Sequence, residues 1–186
     1  MRALPNMTVL EPAGPADYGD AVREALAYNG PVYLRLYRES THISNFLDLP
    51  ALAIGKIRQL SRGKDAVIFA TGLMVGIALQ ASQELREVSI NAAVIDCASI
   101  KPLDVDGILS VISQSKIVIS AENHSIVGGL GSAIAEVIAS NNITRPFFRV
   151  GVQDCFAEGG SRNFLFKKYG LSADDIIAKV KEGLAK

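Results

Sequence analysis

The sequence predicts an α/β chain whose larger part is a three-layer α/β/α domain with a mostly parallel sheet. Short apolar runs rich in β-branched residues, such as Ala66 to Ala70 and Lys116 to Ala121, suit strands buried on both faces. Segments with apolar residues at helical spacing alternate with these runs four times between about residue 64 and residue 186. The opening stretch, residues 1 to about 46, repeats the alternation on a smaller scale, with too few elements to bury its own apolar surface.

In chain order, Met7 to Glu11 reads as a short strand. Pro15 then takes the first position of a helix, where its missing N–H costs nothing. Tyr18, Val22 and Leu26 give that helix an apolar stripe, and Asn29-Gly30-Pro31 end it. Pro31 to Tyr37 returns as a strand, with Val32, Leu34 and Leu36 on one face and Tyr33, Arg35 and Tyr37 on the other. Arg38 follows that strand, and in open α/β sheets ligands dock at the carboxyl ends of strands. Arg35 and Arg38 can hold a phosphate, because guanidinium donors match phosphate oxygens in pairs; a surface ion pair is the competing reading.

Residues 47–63 read as a linker, with an edge strand or a turn of helix within Gly55 to Leu60. His42, just before it, has no catalytic neighbour in sequence and reads as a solvated residue. Residues 64–186 follow as the main domain. Asp65 to Thr71 is a buried strand, Gly72 turns the chain, and a helix spans Leu73 to Glu87. A strand at Asn91 to Ala98 stops at Lys101-Pro102, and Asp104 is placed to cap a helix over Val105 to Gln114.

Lys116 to Ala121 is the next strand, and the polar triplet Glu122-Asn123-His124 falls where it should end. Gly128, Gly129 and Gly131 then open a helix whose stripe is Ala133, Ile134, Val137 and Ile138. The glycines permit close packing of that helix, or they expose N–H groups to an anion, with Glu122 and His124 as neighbours. The spacing matches neither a Walker loop nor a dinucleotide fingerprint, so no nucleotide site is expected. Phe147 to Val150 is a last strand, Gln153 to Arg162 a loop, and Ser172 with Asp175 a capping box for a helix striped by Ile176, Ile177, Val180 and Leu184.

Nineteen basic and nineteen acidic residues cancel without forming blocks, which gives no argument for nucleic acid or an anionic membrane. No apolar segment reaches the ~18 residues of a membrane span. Cys97 and Cys155 match no metal spacing and read as reduced thiols of a cytoplasmic protein. The N-terminus lacks a secretory signal and enters a strand almost at once, so an earlier part of its domain is expected elsewhere. No evident nucleophile, metal cluster or paired acid and base emerges.

The segments MRALPNMTVLEPAG, GPVYLRLYRE, VIFATGLMVGIALQA, IKPLD, AENHSIVGGLGSAIAEV, GVQDCFAEGG and KKYGL, in that order, resemble the C-terminal section of a transketolase. They are most similar to divided transketolases whose halves are separate polypeptides. The resemblance implies ketol transfer between sugar phosphates with thiamine diphosphate and Mg²⁺. It assigns residues 1–46 to the end of the pyrimidine-binding domain and 64–186 to the transketolase C-terminal domain. The diphosphate domain and the cofactor-activating glutamate lie outside this stretch, so the chain alone is expected to bind no cofactor and to be inactive. It needs the N-terminal half as partner, and the C-terminal domain implies a homodimer contact.

By the same resemblance, Arg38 matches the family's substrate-phosphate arginine, although Tyr37-Arg38 stands where Ser-Arg is common. The local pattern is also similar to deoxyxylulose-phosphate synthase, in which Arg35 has a counterpart. Gly14 and Gly159 depart from the residues usual there. The family's third domain is also implied as a regulatory site, placed here at Glu122, His124, Gly128, Gly129 and Gly131. Two alternatives remain: a non-catalytic dimerisation or effector-binding module, and a fragment of the related synthase or of a 2-oxo acid dehydrogenase β subunit.

Overall fold

The computed structural model describes residues 1–37 and 49–185. Two sheets organise them. The first begins with β1 (Thr8–Leu10), crosses through α1 (Pro15–Ala27) and returns as β2 (Val32–Leu34), parallel to β1. Pro15 occupies the helix start as its fixed φ predicts. β2 is shorter than the sequence pattern implies.

The second sheet opens with β3 (Arg58–Ser61), the edge strand expected near Gly55–Leu60. β4 (Ala66–Ala70), α2 (Met74–Glu87) and β5 (Ala92–Asp96) follow, and Gly72 makes the turn into α2 with φ +54°. The expected strand at Asn91 to Ala98 ends at Asp96, and β6 (Ser99–Lys101) leaves this sheet to pair antiparallel with β1. One stretch of the main domain thereby extends the N-terminal sheet, whose order is β2-β1-β6.

The chain continues through α3 (Val105–Ser113), β7 (Ile117–Ser125), α4 (Leu130–Ser140), β8 (Phe147–Val152), α5 (Arg162–Lys168) and α6 (Ala173–Leu184). Asp104 caps α3 by accepting from the Gly107 N–H, and Ser172 and Asp175 form the capping box of α6. The sheet order is β3-β5-β4-β7-β8, parallel except for β3.

Successive residues of β4 divide between its two faces, which makes three layers. Ala66, Ile68 and Ala70 pack with Met74 and Ala78 of α2 and Ile176 and Val180 of α6. Val67 and Phe69 pack with Ile108 and Ile112 of α3 and Leu130 and Ile134 of α4.

Three local expectations are corrected. β7 runs on through Glu122, Asn123 and His124, because Ser125 still pairs with Val152 across an irregularity in the ladder. α5 occupies sequence read as the end of a loop and its sequel; Ser161 caps it by accepting from the Phe164 N–H. The stripe of α1 faces outward at Val22 and Leu26, the latter 82% exposed, while Asp17 and Ala21 are buried. Asp17 turns inward because Arg58 receives it.

Candidate functional site

The glycine-rich turn after β7 is built around a carboxylate from the same chain. Glu122, 1% exposed, accepts from the Leu130 N–H through Oε2 and from the Gly131 N–H through Oε1, each at 2.8 Å. These are first-turn donors of α4, which a helix cannot pair internally and which favour negative charge. A Cβ on Gly129 would fall inside the Glu122 carboxylate, and one on Gly131 would lie 2.8 Å from Ser120 Oγ. The glycines therefore admit Glu122, and the chain supplies its own anion where the sequence offered these donors to a ligand. Gly128 takes φ +79° and its N–H donates to Ser132 Oγ. His124 is exposed, with Nδ1 2.8 Å from Ser125 O and 3.8 Å from Glu122 Oε2. Burial raises the Glu122 pKa against the pull of its two backbone donors.

A second cluster lies where the two sheets meet. Glu11 follows β1, is buried, and donates its N–H to Ala98 O at 2.8 Å. Its Oε1 accepts from Arg35 Nη1 at 2.8 Å and from the Tyr37 hydroxyl. Arg35 Nη2 donates to the backbone oxygen of Asn123 in β7, also at 2.8 Å, and the guanidinium lies 5.3 Å from the Tyr37 ring centroid. The Tyr37 backbone is held in turn: its N–H donates to Tyr18 Oη, which donates to Tyr37 O. Gly72 leaves room for this cluster, since a Cβ there would strike the Tyr37 hydroxyl and the Glu11 carboxylate. Desolvation pushes the Glu11 pKa up to about 7 despite Arg35.

Tyr37 and Asn123 also line a cavity of about 350 Å³ at the carboxyl ends of β4, β7 and β8, with Leu73, Val152, Tyr169 and Leu171 among the other walls. Ligands of open α/β sheets dock at such ends. Of the two arginines read as phosphate ligands, Arg35 sits in this cluster, while Arg38 lies outside the described residues, as does His42.

A third cluster is wholly buried. Arg58 of β3 donates to both oxygens of Asp17, at 2.8 and 2.6 Å, to Pro50 O at 2.8 Å, and through Nε to Asp96 Oδ2 at 2.9 Å. Burial raises the Asp96 pKa to about 6 against the pull of Arg58.

Sequence reasoning missed Glu11, Asp17, Arg58 and Asp96. The available signal was a carboxylate directly after an apolar strand in Thr8-Val9-Leu10-Glu11 and at the end of Ala93-Val94-Ile95-Asp96. The partners, being distant in sequence, left none.

Among the described residues, no group of three or more His, Cys, Asp or Glu side chains is placed to hold a metal ion. The glycine-rich N-terminus of α4 is occupied by Glu122. These residues do not fit thiamine diphosphate with its metal. No described helix is long and apolar enough to cross a membrane.

A family model described as the transketolase C-terminal domain matches residues 55–176. A protein of Methanocaldococcus jannaschii named as a putative transketolase C-terminal section is 40% identical over the whole chain, which covers 58% of that relative. A 6-deoxy-6-sulfo-D-fructose transketolase subunit of a Clostridium species is 41% identical over 98% of the chain, covering 56% of it. A 1-deoxy-D-xylulose-5-phosphate synthase of Caldanaerobacter subterraneus is 33% identical over 98% of the chain, covering 30% of it. Among solved structures, a split-gene transketolase in the form of an inactive β4 tetramer superposes with TM-score 0.93 at 40% identity, over the whole chain and 60% of its own. The chain thus spans a little over half the length of its split or subunit relatives.

Proposed function

The chain belongs to the transketolase C-terminal domain family, and from that premise we propose that it is the C-terminal section of a thiamine diphosphate-dependent transketolase moving a two-carbon ketol unit between sugar phosphates. The observation that carries the reading is an apolar surface in residues 1–37 that no described residue covers. Val22 and Leu26 of α1 point outward, Tyr33 and Leu36 are exposed beside them in sequence, and β2 has β1 as its one neighbour among the described residues. An unpaired strand edge next to exposed apolar side chains fits a sheet completed by further chain. The relatives have that further length.

In this reading the further length that the relatives carry brings the cofactor, its Mg²⁺ and the activating glutamate, and the bond chemistry belongs to the cofactor. This chain closes the pyrimidine-binding sheet and offers Arg35, with Arg38, to the anionic end of the substrate. That end is a phosphate, with the sulfonate named for the Clostridium relative as the variant to test beside it. The C-terminal domain also contacts a second copy in the assembled enzyme.

The synthase relatives favour one other reading, a fragment of a deoxyxylulose-phosphate synthase. Reconstituting the chain with the N-terminal half and assaying it with xylulose phosphate against pyruvate decides between them. Ketol transfer from xylulose phosphate is expected; pyruvate as the sole accepted donor would establish the synthase reading instead.

A further inference from the structure

We infer that Glu11 is a positioning residue for anion capture by Arg35, a role that rests on the reading of Arg35 as a substrate-anion ligand. A guanidinium carries five N–H donors. Glu11 Oε1 takes one from Nη1 and Asn123 O takes one from Nη2, which leaves three without a partner among the described residues. The Arg35 side chain is 27% exposed, whereas that of Glu11 is 3% exposed. The pair therefore joins a buried anchor to a cation that still reaches solvent. A purely structural tie would have no need of that remaining access.

The anchor is itself fixed. Tyr37 donates to the same Glu11 oxygen and places its ring beside the guanidinium, while Tyr18 holds the Tyr37 backbone from both sides. A free arginine stem gives up rotamer freedom when it grips an anion. Here Glu11 and Asn123 set the fork before the substrate arrives, which is how preorganisation strengthens binding. Tyr37 and Asn123, which both contact the guanidinium, also line the cavity, although Arg35 itself is not among its walls.

The test uses the reconstituted enzyme and one ratio, kcat/KM for xylulose 5-phosphate over kcat/KM for xylulose. Arg35→Ala, which deletes the binding group, is expected to lower the ratio by about 100-fold; Glu11→Gln, whose amide oxygen still accepts from Arg35, should lower it by about 10-fold, less than the roughly 100-fold that a full ångström of misplacement costs. The Glu11→Gln loss should lie in KM for the phosphorylated sugar. Tyr37→Phe, which removes only the hydroxyl on Glu11, should lower the ratio less and serves if Glu11→Gln folds poorly. An unchanged ratio in Arg35→Ala overturns the anion-ligand reading. A normal ratio in Glu11→Gln and Tyr37→Phe, with Arg35→Ala impaired, overturns the positioning role alone. Equal losses on both sugars in Glu11→Gln make Glu11 structural and also overturn it.

Discussion

Arg58 and Asp17 meet in a buried, two-pronged ion pair, and that pair joins the N-terminal sheet to the main domain. Asp17 sits on α1 and Arg58 on β3, 41 residues later, with guanidinium nitrogens 2.8 and 2.6 Å from the carboxylate oxygens. Asp96 adds a second carboxylate. Together with β1–β6 pairing, this makes residues 1–37 part of one body with the five-stranded sheet.

Removing Arg58 should therefore expose how firmly the two parts are tied. Arg58→Ala leaves two carboxylates buried without their cation, and breaking a buried pair this way costs about 3–5 kcal/mol. Urea unfolding should show that loss. Hydrogen exchange should quicken in β1 and β2 before it does in β4 and β7. Uniform exchange across both sheets would mean the cluster does not join them.

The glycines of the α4 turn should differ sharply in tolerance. Gly129→Ala drives a methyl into the Glu122 carboxylate and should destabilise by about 1–3 kcal/mol. Gly128→Ala has open space but a left-handed backbone, for a loss of about 1 kcal/mol. Gly159→Ala, with open space and no such backbone, should stay within about 0.5 kcal/mol of the parent. Melting curves of the three variants check the ranking.

Glu122→Ala should lose about 1–3 kcal/mol, because two N–H groups of α4 lose their acceptor. The same cut turns the helix start into an open anion site. Added phosphate should then raise the melting temperature of the variant more than that of the parent. Identical phosphate responses would show that Glu122 was not filling an anion position.

Stability should fall as pH rises from about 4.5 to about 7. The Glu11 pKa stands at about 7 in the fold against an ordinary 4.5, so the folded chain holds that proton more tightly than the unfolded one. Its contribution is complete below the ordinary value and lost as pH passes the folded value. Asp96, raised from 3.8 to about 6, acts in the same direction. Melting temperatures of the parent and Glu11→Gln across this range test it: the variant should show a flatter slope.

The parts of the fold legible in the sequence were those set by local physics. Apolar β-branched runs marked β4 and β7, Pro15 marked the start of α1, and Asp104 and Ser172 marked their helices through hydrogen bonds within three residues. What escaped depended on partners far along the chain. Asp17 is inside because Arg58 meets it, so the Val22 and Leu26 stripe could not be assigned a direction from α1 alone. β6 was hidden because its partner, β1, lies about 90 residues away, and the two share a sheet separate from that of β5 and β7, the strands flanking β6 in sequence. At the candidate site, Glu122 and the glycines were visible as a group, but the donor-acceptor pairing that makes the carboxylate their occupant required the fold. Arg35 was visible as a cation, whereas Glu11 was a strand end until Gly72 and Tyr37 gave it neighbours.

The central claim, that this chain completes an active site whose cofactor is brought by an N-terminal half like that of its longer relatives, is tested most directly by calorimetric titration of thiamine diphosphate with Mg²⁺. The chain alone should give no saturable heat, and the chain mixed with the N-terminal half should bind with one site per pair. Saturable binding by the chain alone, or binding by the N-terminal half unchanged on adding this chain, would contradict the account.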